Sequence, residues 1–513
     1  MTPPTDSGAT TSAWMATAQV PGYPRLAEDA ECDVCIVGAG IAGMTTAYTL
    51  TKAGRRVIVL DDGPIAGGET GRTTAHLTWA LDDYYVEIEK THGADGARIA
   101  AESHRAAVDR LESIVRQERI ECEFERVDGY WFAAKPGDDR FLDAEAQAAR
   151  RAGAGQVDRV ARIPGVPFET TGALRFTNQA QFHPLKYLTA LARAIVKDGG
   201  RIHCGSHVDD FDNRPRRPRV KTTEKYSVTA DAIVFTTNSP INDWVKMHTK
   251  QAAYRTYVIA VRIPPNTIPR GLYWDTEKPY HYVRLATDAT GEPLLIVGGE
   301  DHKTGQADDA PRRFGTLLEW TRQHFPMAGD IAFQWSGQVL EPNDYMAFIG
   351  RNPGDENVYI ATGDSGNGMT HGTIAGMLIP DLILGIPNRW EKLYDPARKM
   401  LRSAPEFVKE NVNVAAMYAD WVTPGEVSSP DEIKPGQGAI MREGFKKFAV
   451  YRDEQGVVHI RLASCTHLFC IVGWNSVEKT WDCPCHGSRF DPYGRVLNGP
   501  AVKELAEPGG EGQ

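Results

Sequence analysis

The chain has 513 residues, 42% of them hydrophobic and 24% charged, which is enough for more than one domain with a buried core. Its formal net charge of −10 and the absence of a long basic run argue against nucleic acid or an anionic membrane surface as partner. No apolar run approaches the roughly 18 residues of a transmembrane helix, so no membrane span is expected.

Residues 1–30 are rich in Thr, Ser, Pro and Ala and lack the basic and apolar regions of a secretory signal, so they read as a mobile arm of a cytoplasmic protein. The eight cysteines do not form a secreted framework, because four cluster near the C-terminus and the others are scattered. Cys32 and Cys35 lie on an expected strand, where residues three apart face opposite sides, so they are not expected to act as a redox pair. From Cys32 the chain reads as a buried strand, a glycine turn, a helix, and a second buried strand ending at Asp61. Gly38 permits the tight turn, Gly40 lets a pyrophosphate approach the backbone, and Gly43 lets the helix pack on the strand. Asp61 is placed to accept hydrogen bonds from a ribose, and the phosphates would sit at the helix N-terminus.

This fingerprint alone does not separate FAD from NAD. The segment Gly67 to Thr78, Gly-Gly-Glu-Thr-Gly-Arg-Thr-Thr-Ala-His-Leu-Thr, resembles the flavin cradle of the D-amino-acid oxidase and glycine oxidase superfamily. The resemblance implies FAD, with Arg72, Thr73 and Thr74 along its pyrophosphate and isoalloxazine. Some relatives attach flavin covalently to a histidine in this region, near His76; noncovalent FAD is expected here.

Residues 82–117 read as paired amphipathic helices forming a surface layer, and Phe124 to Phe132 as a half-buried strand. Leu174 to His207 again resembles the superfamily: a strand, a helix opened by His183-Pro184, and a second strand. By that resemblance Val208 meets the adenine through its backbone, and Ala232 to Asn238 returns to the nucleotide domain. His203, His207 and Asp210 resemble a two-histidine, one-carboxylate iron set, but a Cys-Gly-Ser break separates the histidines on a stretch the flavin fold already explains. Arg214 to Arg219 reads as a solvated hairpin tip.

Tyr254 to Phe348 is a run of aromatic and β-branched strands, expected to form a mixed or antiparallel sheet roofing the flavin. Tyr257, Tyr273, His281, Tyr282, Arg284 and His302 are candidates to line the substrate pocket, with the packed or solvated alternative open for each. In amino-acid-oxidising relatives the segment corresponding to Trp335–Asp344 carries an arginine that pairs with the substrate carboxylate. Gln338 and Val339 stand there in this chain, which disfavours a plain α-amino acid unless Arg255 or Arg284 supplies the charge. Val358 to Gly372 reads as a strand, a glycine loop and a helix; by resemblance Gly366, Gly368, Met369 and Thr370 meet the flavin's pyrimidine edge, and His371 approaches the ring or caps the helix. No second glycine fingerprint occurs in a strand-helix-strand context, which argues against an NAD(P)H-dependent ferredoxin reductase. After Gly385 a helical strap with a Pro405-led helix is expected.

Cys-Thr-His-Leu-Phe-Cys and Cys-Pro-Cys-His-Gly-Ser, between Cys465 and Ser488, have the spacing of a Rieske [2Fe–2S] centre, with Cys465 and Cys483 on one iron and His467 and His486 on the other. A structural zinc site is the alternative. The resemblance to cytochrome bc-type Rieske proteins implies a disulfide between Cys470 and Cys485. High-potential relatives also place a serine and a tyrosine as hydrogen-bond donors to the cluster; Ser488 is retained, but Phe490 replaces the tyrosine, which implies a lower potential.

The resemblances together imply an α/β FAD-binding domain of Rossmann-like, D-amino-acid oxidase type over residues 31–390. Its nucleotide part covers about 31–80, 175–240 and 340–390, and its interleaved mixed-sheet substrate part about 120–175 and 250–340. A strap over 391–425, a small all-β Rieske domain over 426–505 and a disordered tail over 506–513 would follow. The expected function is dehydrogenation or oxidation of an amine, secondary or N-substituted, by hydride transfer to FAD, with electrons passed through the cluster to a redox partner protein or other acceptor. Two alternatives remain: an external donor feeds the cluster and then the flavin, for substrate reduction or oxygen activation, or the protein is an electron-transfer module without its own substrate.

Overall fold

The continuous apolar segments Ala30–Val37 and Val57–Leu60 pair in parallel at the centre of a sheet covered on both faces, the setting such segments require. In the computed structural model, which describes residues 7–135, 137–214, 216–242, 247–399, 411–414 and 417–509, this sheet has eight strands. Its main path runs Phe348–Arg351, Val358–Thr362, Ser227–Phe235, Ala30–Val37, Val57–Leu60 and Arg201–His203, parallel except for the first. Val208–Asp212 and Arg219–Thr222 pair antiparallel beside it, with the basic Arg214 to Arg219 run between them; Pro215 in that run lies outside the described residues. Helices Ile41–Lys52 and Gly368–Leu384 pack together on this sheet.

A second, nine-stranded sheet is mixed: Leu272–Asp275 runs parallel to Glu125–Phe132, and the other pairings are antiparallel. Ala173–Gln181, expected near the edge of the nucleotide part, belongs to this sheet. Helix Ala310–His324 covers one face, where Phe314, Leu317 and Trp320 join a core with Tyr257, Tyr273 and Val297. The helical pair expected over 82–117 is Tyr85–Gln117, broken at Gly93, whose φ is 75°. It is less superficial than expected, since His104 is buried against Thr370 and His371. The Rieske region consists of two small antiparallel sheets, of three and four strands. Of the expected strap, residues 391–399, 411–414 and 417–425 are described, and the Pro405-led helix lies outside them.

Two expectations about the ends are corrected. Residues 7–30 are packed, not a mobile arm: Trp14 is buried and donates from Nε1 to the Thr73 carbonyl at 2.6 Å, and Ser12 Oγ donates to the Gly71 carbonyl at 2.5 Å. The start of the tail is pinned too, because Ala506 accepts the Leu462 N–H at 2.7 Å and Glu507 pairs with Arg461 at 2.8 Å. Residues 510–513 lie outside the described part.

The domains and the N-terminal segment meet at Glu478 of the Rieske region. Its carboxylate accepts from Arg72 Nη1 at 3.2 Å, Thr10 Oγ1 at 2.7 Å and Ser336 Oγ at 2.5 Å. Arg489 stands nearby, paired with Asp482 at 3.2 Å and donating to the Ser7 carbonyl at 2.6 Å, and Arg255 lies 3.8 Å from Asp482. All these charged groups are buried. Burial alone would raise the Glu478 carboxyl, but Arg72, Arg255 and Arg489 hold it down at about 2. Removing one partner from such a network leaves uncompensated buried charge, so Glu478→Gln is expected to cost about 3–5 kcal/mol, read as a lower urea midpoint. The carboxyl lies below its ordinary value of 4.5 in the folded protein, so its stabilisation is complete above that pH and fades as pH falls toward about 2. That part of the acid-unfolding profile should be missing in the variant.

Candidate functional site

A cavity of about 1330 Å³ runs from the glycine turn of the parallel sheet to the inner face of the mixed sheet. It exceeds the ~300–1,000 Å³ of ordinary ligand pockets, leaving room for a dinucleotide and a second molecule. At one end Gly38 holds a φ of 109°, open only to glycine, with the Thr236 carbonyl where a Cβ would stand. Asp61 accepts the Ala39 N–H at 2.5 Å and the Gly63 N–H at 2.9 Å; burial and neighbouring Asp62 nevertheless push its carboxyl up to about 7.

Of the residues expected at FAD, Gly38, Gly40, Asp61, Arg72, Thr73, Thr74, Val208, Gly366, Gly368 and Met369 line this cavity. Gly43 lies behind the turn, where a Cβ would strike the Gly38 carbonyl. Thr370 turns away, its Oγ1 bonded to His104 Nδ1 at 2.8 Å. Arg72 touches the cavity but spends its guanidinium on Glu478, Thr10 and the Gly8 and Ser336 carbonyls. His76 also lines the cavity, bonded through Nδ1 to Thr74 Oγ1 at 2.9 Å; burial, with the Arg284 charge, lowers its pKa to about 3 and keeps the ring neutral. Nothing in the sequence signalled that the Rieske region closes part of the wall, with Val496 to Gly499 and Ala501. His207 ties this segment to the nucleotide domain through the Val502 carbonyl at 3.1 Å and Asp62 at 3.2 Å, while His203 faces the Pro24 carbonyl. Cys32 and Cys35 are free and buried.

Of the six pocket candidates only Tyr282 lines the cavity. Tyr257 stacks on His302 beneath helix Ala310–His324, and Tyr273 stacks on Tyr130 on that same covered face. His281 is buried against Trp320 and Asp275, and Arg284 donates to the Thr74, Ala75 and Phe182 carbonyls. Strand alternation puts their neighbours Thr256, Trp274 and Asp301 on the cavity side instead.

The cavity also gathers carboxyls that sequence reasoning missed: Asp82, Asp83, Asp301, Glu341 and Asp364, among Tyr84, Phe141, Trp274, Tyr280 and Tyr282. Tyr280 donates to Asp82 at 2.6 Å, Ser365 to both Asp83 and Glu341, and the Leu340 N–H to Asp364 at 3.1 Å. Gly366, at φ 67°, lets Asp82 approach where any Cβ would collide. Burial, with repulsion from Asp83, Asp301 and Asp364, pushes Asp82 up to about 8; burial, with repulsion from Asp344 and Glu87, pushes Asp83 to about 7; and burial raises Asp301 and Asp364 to about 6. The adjacent pair Asp82-Asp83 was the available signal, but the other three come from distant segments.

In the Rieske region Cys470 and Cys485 form a disulfide with Cα atoms 6.4 Å apart. Cys465 and Cys483 are buried free thiols that hydrogen-bond each other, and Cys465 also receives N–H groups of His467 and Leu468 and the Ser488 hydroxyl. The rings of His467 and His486 lie 5.1 Å apart, and His486 Nδ1 is buried without a hydrogen-bond partner. Paired thiols opposite paired imidazoles, with a ring nitrogen left for a ligand bond, fit a [2Fe–2S] group bound by Cys465, Cys483, His467 and His486. Phe490 is buried on the neighbouring strand and brings no hydroxyl. Hydrogen bonds to the sulfurs tune potential, so with Ser488 as hydroxyl donor and no tyrosine at 490 a redox titration should give a value below the top of the roughly −150 to +300 mV Rieske range. Ser488→Ala should lower it and Phe490→Tyr raise it.

The model of the FAD dependent oxidoreductase family matches residues 33–382, and that of the Rieske [2Fe-2S] domain residues 423–508. The putative Rieske 2Fe-2S iron-sulfur protein YhfW of Bacillus subtilis (strain 168) is 34% identical over 500 residues, 96% of each chain. Gamma-glutamylputrescine oxidoreductase of Escherichia coli (strain K12) is 28% identical over 383 residues, 72% of this chain and 87% of its own. The crystal structure of glycine oxidase from Geobacillus kaustophilus shares the fold, with a TM-score of 0.60 at 17% identity over 72% of this chain and 99% of that one. With its glycine turn, large cavity and paired Cys/His loops, the chain belongs to the FAD dependent oxidoreductase family, extended by a Rieske domain, and is an oxidoreductase whose cofactors are FAD and a [2Fe–2S] cluster.

Proposed function

We propose that the protein dehydrogenates a cationic amine, oxidising a C–N bond at FAD and passing the electrons through its Rieske cluster to a one-electron acceptor. Bound FAD supplies the hydride acceptor and can release electrons singly. The observation that carries the substrate class is the acidic, aromatic cavity wall built from Asp82, Asp83, Asp301, Glu341 and Asp364 with Tyr280 and Tyr282. Burial, with some repulsion from neighbouring carboxylates, keeps these carboxyls protonated; a cation entering beside them favours their ionised forms, and the rings favour an ammonium over their faces.

The same site is poorly equipped for an amino-acid carboxylate. Gln338 and Val339 occupy the usual anchor position, and neither alternative arginine lines the cavity: Arg255 donates to Ser336 Oγ at 2.9 Å, and Arg284 is spent on carbonyls. The residues of this wall would hold a charged end of the substrate, leaving the reacting nitrogen neutral beside the flavin, in a cavity walled in part by aromatic side chains. Gln338 and Val339 together with the gamma-glutamylputrescine oxidoreductase likeness support an N-substituted amine or diamine.

Anaerobic addition of diamines and N-substituted amines to the holoenzyme should bleach the flavin and produce the EPR signal of the reduced cluster, while glycine should do neither. If no amine reduces the flavin but a reduced external donor fills both centres, the direction proposed here is wrong. Asp82→Asn should lower kcat/KM for the best amine about 10- to 100-fold, the scale of one charged hydrogen bond. Cation binding needs ionised carboxyls, so wild-type kcat/KM should rise from pH 6 to pH 8 as groups with values of about 6 to about 8 deprotonate. The variant should lose the upper part of that rise.

A further inference from the structure

The position that amino-acid-oxidising relatives use to anchor a carboxylate is turned here toward the cluster. Gln338 is buried on strand Ile331–Pro342 and lines the cavity, yet its Nε2 donates to the Gly487 carbonyl at 3.1 Å, while its Oε1 accepts from Thr304 Oγ1 at 3.3 Å. Gly487 directly follows His486, and its own N–H returns to the Cys483 carbonyl at 3.1 Å. Gly487, at φ 77°, lets the cluster loop lie flat on the sheet, where a Cβ would meet Ala253 at 2.5 Å and Gln338 Nε2 at 3.0 Å. On the other side of the loop Gly305 does the same, with the Asp482 carbonyl and Pro484 nitrogen 2.8 Å from where its Cβ would be.

The imidazole edge of the cluster site is covered as well. His248, from the flavin domain, stands edge-on to His467 at 4.8 Å and to His486 at 5.9 Å between ring centroids. The two expected ligand histidines are only 4% and 7% exposed.

We propose that the flavin and the cluster exchange electrons inside one chain through the Gln338–Gly487 hydrogen bond, while His248 screens the imidazole edge and slows, without preventing, exchange with an external acceptor. This rests on the reading that the flavin's electrons leave through the cluster. Each transfer moves one electron from the reduced flavin and converts one ferric iron to ferrous; over two such transfers the flavin returns to its oxidised form and the single proton gained with the hydride passes to solvent. A one-electron acceptor then reoxidises the cluster before the second electron follows.

The test uses the anaerobic holoenzyme and a photogenerated deazaflavin radical as reductant, so that it does not depend on any amine. After a flash, flavin reoxidation and cluster bleaching should proceed together at a rate independent of protein concentration. Gln338→Met and Gln338→Leu, both uncharged and without the donor, should slow this step severalfold, with the cluster's EPR spectrum and potential unchanged. His248→Ala should leave the internal rate intact and speed oxidation of the reduced cluster by ferricyanide. An internal rate that ignores both Gln338 variants, that falls instead in His248→Ala, or that scales with protein concentration would overturn the route. Failure of every amine to reduce the flavin would leave this result standing and remove only the substrate assignment.

Discussion

The arrangement depends on a buried carboxylate, Glu478, and the guanidinium groups around it. A charge this far from water is tolerable only with its partners in place, so the network admits few geometries. Because its members come from the N-terminal segment, the flavin cradle, strand Ile331–Pro342 and the Rieske region, satisfying one carboxylate sets the position of four parts of the chain. The cavity wall and the docking of the cluster loops both follow from that positioning.

Strand Ile331–Pro342 shows how one element serves both centres. Trp335 anchors it to the Arg72 carbonyl, Ser336 meets Glu478, Gln338 reaches the cluster loop, and Glu341 joins the acidic wall. Alternation along a strand makes this possible, since successive side chains leave on opposite faces. Gln338 on this strand thus serves as a contact between domains.

What was legible in the sequence was what local chemistry forces. Gly38 and Gly40 are dictated by backbone conformation and close approach, and Cys465, His467, Cys483 and His486 by the ligand needs of the cluster, so each could be read without knowing the fold. The pocket side chains could not. Both faces of the mixed sheet are covered, one by helix Ala310–His324 and the other by the cavity, so alternation of apolar and polar residues no longer marks the inner face. Tyr257 and Tyr273, pocket candidates by sequence, lie on the helix-covered side, whereas Thr256 and Trp274 face inward. The N-terminal segment misled for a related reason: Ser7, Thr10 and Ser12 look like linker residues until their distant partners Glu69, Glu478 and Gly71 are brought to them. Long-range polar pairing leaves no periodic trace.

The wall supplied by Val496 to Gly499 and Ala501 has a consequence for biogenesis. The flavin cradle is made early in translation, but its cavity is complete only when the far end of the chain has folded and docked. The segment that completes it is tied to the cluster loops, through Ala501 to Ser488 and Lys503 to Thr466. The last wall of the cavity is therefore contributed by the far end of the chain, and the stretch that closes it is bonded to both cluster loops.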